Sequence, residues 1–322
     1  MRARTAIITA LATGLSWPAA AQTDITFHLD FLVNGYHAPF YIAEANGLYE
    51  QAGLDVTINP GRGSTDAVAT VASGNAQIGF ADAGAVAQAV ANGAPVTVVA
   101  VILQEAPYGI ISYTEEGIDE PTDLEGHSLA VVPAGATTQA LPAFFALNNV
   151  NTDEVEAITY NFGATVPSFL SGQVDATIGY LFGEFLAARN QADRDVQIMR
   201  FYDWGFDVYS NSLIVNNDFL ADNPDAVRAF VAATIEGVEY AMANPEEAVQ
   251  AAADNTETPF ETLLEQFQVA LPLIYNADAE ANGIGSMDAE KWDRTQSVNV
   301  DYGEQAEMVP TDTLYTTEFL PQ

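Results

Sequence analysis

The sequence predicts an α/β protein built as two lobes. Short apolar strands alternate with amphipathic helices from Thr26 onward, and this alternation stops in a polar stretch and then restarts. The 322 residues are also more than one core usually serves. Hydrophobic residues make up 49% of the chain, a globular rather than a disordered composition.

The elements read in order. Met1-Arg2-Ala3-Arg4, an apolar run from Thr5 to Trp17 and Ala19-Ala20-Ala21 have the parts of a secretory signal peptide, residues 1–21. The run is too short to span a bilayer, so the expectation is export and cleavage after Ala21. Thr26 to Phe31 reads as a first strand and Ala38 to Gln51 as a helix ended by Gly53. Asp55 to Ile58 is a second strand, and a Gly-rich turn leads to Ser64 and a helix through Ala72. Gln77 to Phe80, an Ala-rich helix from Asp82 to Asn92, and a strand from Val96 to Leu103 follow. The polar stretch Tyr113 to Glu125 is the candidate boundary.

Beyond it, strands are expected at Ser128–Val132, Ala157–Tyr160, Asp175–Tyr180 and Val196–Phe201, with helices at Thr137–Leu147 and Thr165–Leu170. The halves echo each other. Val71-Ala72-Ser73-Gly74 leads to Ile78-Gly79-Phe80, and Phe169-Leu170-Ser171-Gly172 leads to Ile178-Gly179-Tyr180. From Asn223 the chain reads as helical, with segments starting near Pro224, Pro245, Pro259 and Asp288.

Charge and composition exclude several functions. There are 44 acidic residues against 9 basic, a formal net charge of −35, so nucleic acid and anionic membrane would be repelled. The acids are scattered rather than set at metal-ligand spacing, and read as a solvated shell. With no Cys, thiolate metal sites, Cys nucleophiles and disulfides are impossible. His28, His37 and His127 form no H-E-x-x-H, and the one Lys, Lys291, lies on a polar C-terminal helix unsuited to Schiff-base chemistry. No metal, no cofactor and no catalytic residue is expected. A secreted enzyme using cleft carboxylates remains an alternative.

Ligands of open α/β sheets sit beyond the carboxyl ends of the strands, so the loops there supply the candidates. Aromatic residues gather in them, among them Phe31, Tyr108, Tyr180, Trp204 and Tyr209. Such rings stack on flat ligands, each contributing about 0.5–1.5 kcal/mol beyond burial. Glu184, four residues after Tyr180, can point into the same cleft and accept two hydrogen bonds from an amidine-like N–H pair. Arg62 and Ser64, in a Gly-rich turn at a helix N-terminus, could instead hold an anion, or Arg62 could pair with Asp66. Asp82 and Thr137 lie in two further loops of this kind.

Tyr41-Ile42-Ala43-Glu44-Ala45-Asn46-Gly47-Leu48-Tyr49-Glu50-Gln51-Ala52-Gly53-Leu54-Asp55-Val56 resembles the early segment of the thiamine-pyrimidine-synthase-like and sulfonate-binding solute-binding proteins of ABC importers. Gly61-Arg62-Gly63-Ser64, the block from Val71 to Asp82, Asp123-Leu124-Glu125-Gly126-His127 and Asn244-Pro245-Glu246-Glu247-Ala248 extend the resemblance over nearly the whole chain after residue 21. The resemblance implies a type II periplasmic-binding-protein fold with two hinge crossings: lobe one at 24–112 plus 212–322, lobe two at 113–211. It implies a periplasmic monomer that captures a small molecule and delivers it to an ABC permease. The ligand would be a flat nitrogen heterocycle such as a pyrimidine-like thiamine precursor, or alternatively a small organic anion. Tyr180 and Glu184 would face the aminopyrimidine, with Asn34 and His37 opposite; Phe31 stands where the resemblance leads one to expect Trp. The same fold includes a eukaryotic enzyme that needs a Cys-rich motif and a reactive Lys, which this chain lacks.

Overall fold

A computed structural model describes residues 22–133, 136–161, 163–302 and 305–321. The signal-peptide expectation for residues 1–21 therefore lies outside the described residues. Ten strands form two five-stranded sheets. They are β1 (Thr23–His28), β2 (Leu54–Asn59), β3 (Ile78–Asp82), β4 (Val96–Val101), β5 (Tyr108–Tyr113), β6 (Ser128–Val131), β7 (Glu156–Thr159), β8 (Ala176–Tyr180), β9 (Val196–Arg200) and β10 (Asn211–Asn216).

The first sheet has the order β2-β1-β3-β10-β4 and the second β7-β6-β8-β5-β9. In each, four strands run in one direction and the fourth in order, β10 or β5, runs antiparallel to both neighbours. Each antiparallel strand is the first one after the chain has crossed from the other sheet. The sequence echo is thus real topology: β3 with Gly79-Phe80 and β8 with Gly179-Tyr180 hold equivalent places, each behind a short helix closed by a glycine.

Several expected boundaries move. The chain crosses between the sheets at 102–107, ahead of β5, so the polar stretch from Tyr113 marks the end of that strand and not the crossing. The first strand ends at His28, leaving Phe31 and Leu32 exposed in the loop beyond it. The helix expected at Ala38–Gln51 is two, Ala38–Ala45 and Leu48–Gln51, because Gly47 takes a left-handed φ of 67°. Ser64 is the first residue of its helix, and Gly63 occupies the cap. Strand β10, wholly buried, opens on Asn211-Ser212 and is not among the expected strands, because polar residues start it.

The two crossings lie side by side. Ser210 N–H donates to the Leu103 carbonyl, and Ile102 and Leu103 N–H both donate to the Asn211 carbonyl. The C-terminal helices return to cover the first sheet. Phe27 of β1 packs edge-on against Phe40 and Phe230, each with ring centroids 5.1 Å apart, which locks the helices Ala38–Ala45 and Pro224–Ala243 onto that sheet. The second lobe has its own core, in which Phe144 stacks on Phe201 at 3.9 Å.

Phe27 is fully buried, so Phe27→Ala should destabilise the protein by about 3–5 kcal/mol, seen as a lowered denaturation midpoint with an unchanged slope in urea.

Candidate functional site

The carboxyl ends of β1, β3 and β8 converge between the lobes, and the register sets two residue pairs against each other there. Asp82, the last residue of β3, is paired with Asn211, the first of β10. Tyr180, the last of β8, is paired with Tyr108, the first of β5. The Tyr108 hydroxyl donates across the cleft to Asp82 Oδ2 at 3.3 Å.

Asp82 is also a helix cap. Its Oδ1 accepts from the Gly84 and Ala85 N–H groups at 3.0 and 3.2 Å, and Ser64 Oγ accepts from the Asp82 N–H. Ser64 therefore sits behind Asp82 and holds it in place. Burial pushes the Asp82 carboxyl above its ordinary value; the hydrogen bonds from Ala85, Gly84 and Tyr108 oppose this, and the Asp30 charge adds to it.

Asp30, just beyond β1, is the second carboxylate of the cleft and is buried. Its Oδ2 accepts from the Tyr36 hydroxyl and from Asn211 Nδ2, both at 2.8 Å, and its Oδ1 lies 2.7 Å from His37 Nε2. His37 Nδ1 accepts from the Asn34 N–H at 3.2 Å, which places the ring proton on Nε2, donated to Asp30. Asn34 Oδ1 accepts from Tyr36 N–H and caps this single turn. His37 and Asn34, expected to face a ligand, are thus spent on shaping the loop, and His37 is fully buried.

Aromatic rings from both lobes fill the space between. Tyr36 lies against Phe182 at 4.5 Å, Phe182 against Tyr180 at 5.8 Å, and Tyr180 edge-on to Tyr108 at 5.3 Å. Burial first, and then the Asp30 charge at Tyr36 and the Asp82 charge at Tyr108 and Tyr180, pushes all three phenols above their ordinary range, so they remain donors at neutral pH. Glu184 sits on a single π-turn, Leu181–Phe185, and its Oε2 accepts from the Tyr180 N–H at 2.9 Å. Gly179 makes room for this fold-back, since a Cβ there would overlap the Glu184 side chain.

The other expected residues take no part in these hydrogen bonds and ring contacts, although the Arg62 turn is joined to the Asp30-Phe31 loop by the Gly61 and Gly63 N–H groups. Tyr209 is buried in the first lobe, with its hydroxyl accepting from Asp288 N–H at 2.7 Å and its ring 5.3 Å from Trp292; it is a core residue. Trp204 packs on the second-lobe core, and its carbonyl accepts from Asn148. Thr137 is buried on the helix Ala136–Leu147. Phe31 is exposed. Arg62 is exposed too, and Asp66, its expected partner, lies 3.3 Å from His28 instead. Sequence reasoning missed Asp30 and Asn211. Asp30 carried a signal, an acid directly after an apolar strand and before an aromatic loop, whereas Asn211 carried none.

Two surface pockets lie elsewhere. One, of about 290 Å³, is open and lined by Glu44, Glu50 and Asp55. The other, of about 480 Å³, lies beside the second crossing, but its cations are taken by its own acids: Lys291 Nζ is 2.6 Å from Asp207 Oδ1, and Arg294 Nη2 is 2.7 Å from Asp207 Oδ2. Among the described residues no group of three or more His, Cys, Asp or Glu could hold a metal ion. The cleft brings together carboxylates, hydroxyl donors and flat apolar walls from both lobes, the combination that grips a small ring with N–H donors.

The raised Asp82 carboxyl gives a pH prediction with a definite sign. Its contribution to stability is full below the unfolded value of 3.8 and is lost as pH rises through the higher folded value. Asn caps a helix as well as Asp does, so Asp82→Asn should melt higher than the parent at pH 7, and the gap should close on acidification. A gap that widens in acid would contradict this.

Residues 34–248 match the NMT1/THI5-like family. The formylaminopyrimidine-binding protein of Halalkalibacterium halodurans is 25% identical over 275 residues, covering 84% of this chain and 82% of that protein. The 4-amino-5-hydroxymethyl-2-methylpyrimidine phosphate synthase of Aspergillus parasiticus is 28% identical over 241 residues, 71% of this chain and 70% of that one. The crystal structure of the periplasmic aliphatic sulphonate binding protein SsuA from Escherichia coli superposes with a TM-score of 0.72 at 14% identity, covering 92% of this chain and 93% of that chain. The fold is that of the periplasmic binding proteins, and by the match over 34–248 the chain belongs to the NMT1/THI5-like family.

Proposed function

We propose that this protein is the solute-capturing component of an ABC importer, exported to the periplasm, and that it closes on a small flat nitrogen heterocycle, pyrimidine-like or a related vitamin precursor. The observation that carries this is the cluster shared by both lobes: Asp30, Tyr36 and Asp82 on one side, Tyr108, Tyr180, Phe182 and Glu184 on the other. A ring entering there would part Tyr36 from Phe182, stack on the aromatic walls and donate its N–H groups to the carboxylates. The lobes would rock about the paired crossings at 102–107 and 201–210 to admit it. A permease would then read the closed form of the monomer.

The names of two relatives, one a formylaminopyrimidine-binding protein and one a pyrimidine phosphate synthase, support a pyrimidine as the ring. Binding is favoured over synthesis by the chemistry of the chain. It has no Cys, and Lys291, its one Lys, is buried in ion pairs with Asp207 and Asp278. The anion alternative rests on Arg62, the one described cation with no ion pair among the described residues.

A thermal-shift screen tests the reading. Aminopyrimidines should raise Tm, by the equivalent of about 2.7 kcal/mol at a hundredfold excess over Kd. Glu184→Gln keeps an acceptor for the Tyr180 N–H but loses the charge, and should remove most of that shift. If sulfonates or aromatic carboxylates alone stabilise the protein, and Arg62→Ala abolishes their effect, the heterocycle reading is wrong. Turnover of a stabilising compound would instead make the protein an enzyme.

A further inference from the structure

The geometry points to a cation as the occupant of the cleft: we infer that Asp30 and Asp82 select a flat ligand carrying a positive charge over neutral and anionic molecules of the same outline. This inference rests on the reading that the cleft captures the ligand, and it specifies that ligand's charge.

The charges around the cleft are out of balance. Asp30 is buried and accepts three hydrogen bonds, from a phenol, a primary amide and a singly protonated imidazole, none of which brings a formal charge. Asp82 is held by two backbone N–H groups and a phenol, again without a cation. Hydrogen bonds satisfy the lone pairs of a buried carboxylate but leave its net charge uncompensated in a medium of low dielectric, where it is costly.

No Lys or Arg among the described residues pairs with either carboxylate. Of nine Lys and Arg residues, Arg2 and Arg4 lie outside the described residues. Six of the remaining seven are taken by other acids: Arg189 by Glu265, Arg194 by Glu115, Arg200 by Glu105, Arg228 by Asp225, and Lys291 and Arg294 by Asp207. The seventh, Arg62, is exposed and has no described carboxylate within 4 Å, although its neighbours Gly61 and Gly63 donate their N–H groups to the Phe31 and Asp30 carbonyls. A ligand cation would complete both pairs at once, and the faces of Tyr36, Tyr108, Tyr180 and Phe182 would receive it as aromatic rings receive cations. An anion in the same place would meet the carboxylates of Asp30, Asp82 and Glu184, none of which has a Lys or Arg within 4 Å among the described residues.

Benzamidinium, benzamide and benzoate share one outline and carry charges of +1, 0 and −1. Calorimetric titration of the whole exported protein with each, at low and at high salt, tests the inference. Benzamidinium should bind at least ~10-fold more tightly than benzamide, and benzoate should bind more weakly than either. The preference should survive high salt, because a buried pair is poorly screened, whereas attraction to the acidic surface would not. Asp82→Asn should reduce the ratio of cation to neutral affinity, and Asp30→Asn should do the same if it folds. Tyr180→Ala should weaken the cationic and neutral probes together.

Benzamide or benzoate binding as tightly as benzamidinium, in a manner sensitive to Tyr180→Ala, overturns the charge preference and leaves the cleft as the binding site. A cation preference indifferent to Asp82→Asn and Tyr180→Ala, or lost in high salt, overturns both the preference and the cleft. Failure of all three probes to bind overturns the inference as well.

Discussion

The carboxylate of Asp30 is the contact on which the geometry of the cleft depends. It gathers Tyr36 and His37, from the loop after β1, and Asn211, which lies 181 residues away in sequence. A desolvated carboxylate is tolerable only when its lone pairs are met, so each of the three donors is held where Asp30 requires it. Asn211 extends the constraint, because its carbonyl accepts the N–H groups of Ile102 and Leu103 in the other crossing. One buried acid thus fixes the loop after β1 relative to both crossings between the sheets.

The lobes are also tied together at the rim. Glu265, on the helix Phe260–Ile274 over the first lobe, takes both Arg189 and Asn190 from the helix Leu186–Gln191 of the second. Glu105 in the first crossing joins Arg200, at the end of β9, to Asn276 at 3.0 Å. These polar ties are few and partly exposed, and exposed ion pairs contribute little individually. The aromatic contacts of the cleft therefore carry much of the contact between the lobes.

The fold was legible in the sequence wherever periodicity and caps agree. The helices beginning at Pro224 and Pro245, the Asp82 and Asp288 caps, and the two glycine-closed units behind β3 and β8 all announce themselves locally. What was not legible depends on contacts distant in sequence. Strand β10 opens with Asn and Ser, which carry no strand signal until Asp30 and the Ala81 carbonyl are known to receive their side chains. Tyr209 reads as a cleft aromatic because polar residues surround it, but Trp292 and the Asp288 N–H, some eighty residues on, draw it into the core. His37 is placed toward a ligand by the family resemblance alone, and Asp30 and the Asn34 N–H engage its two ring nitrogens instead. Polar side chains near strand ends satisfy either a ligand or the protein's own loops, and sequence alone does not say which.

The placement of β10 has a consequence for biosynthesis. The strands of the second sheet, β5 to β9, follow one another without interruption from Tyr108 to Arg200, whereas the first sheet needs β10 inserted between β3 and β4. As the chain emerges from its N-terminus, β1 to β4 come out first but cannot form their native sheet until Asn211–Asn216 follow. The second lobe, synthesised later, can complete its sheet earlier. The strands that wait are apolar and unpaired at the β3 and β4 edges meanwhile, held open across a long loop whose closure is slow. The topology thus lets the lobe synthesised second complete its sheet first.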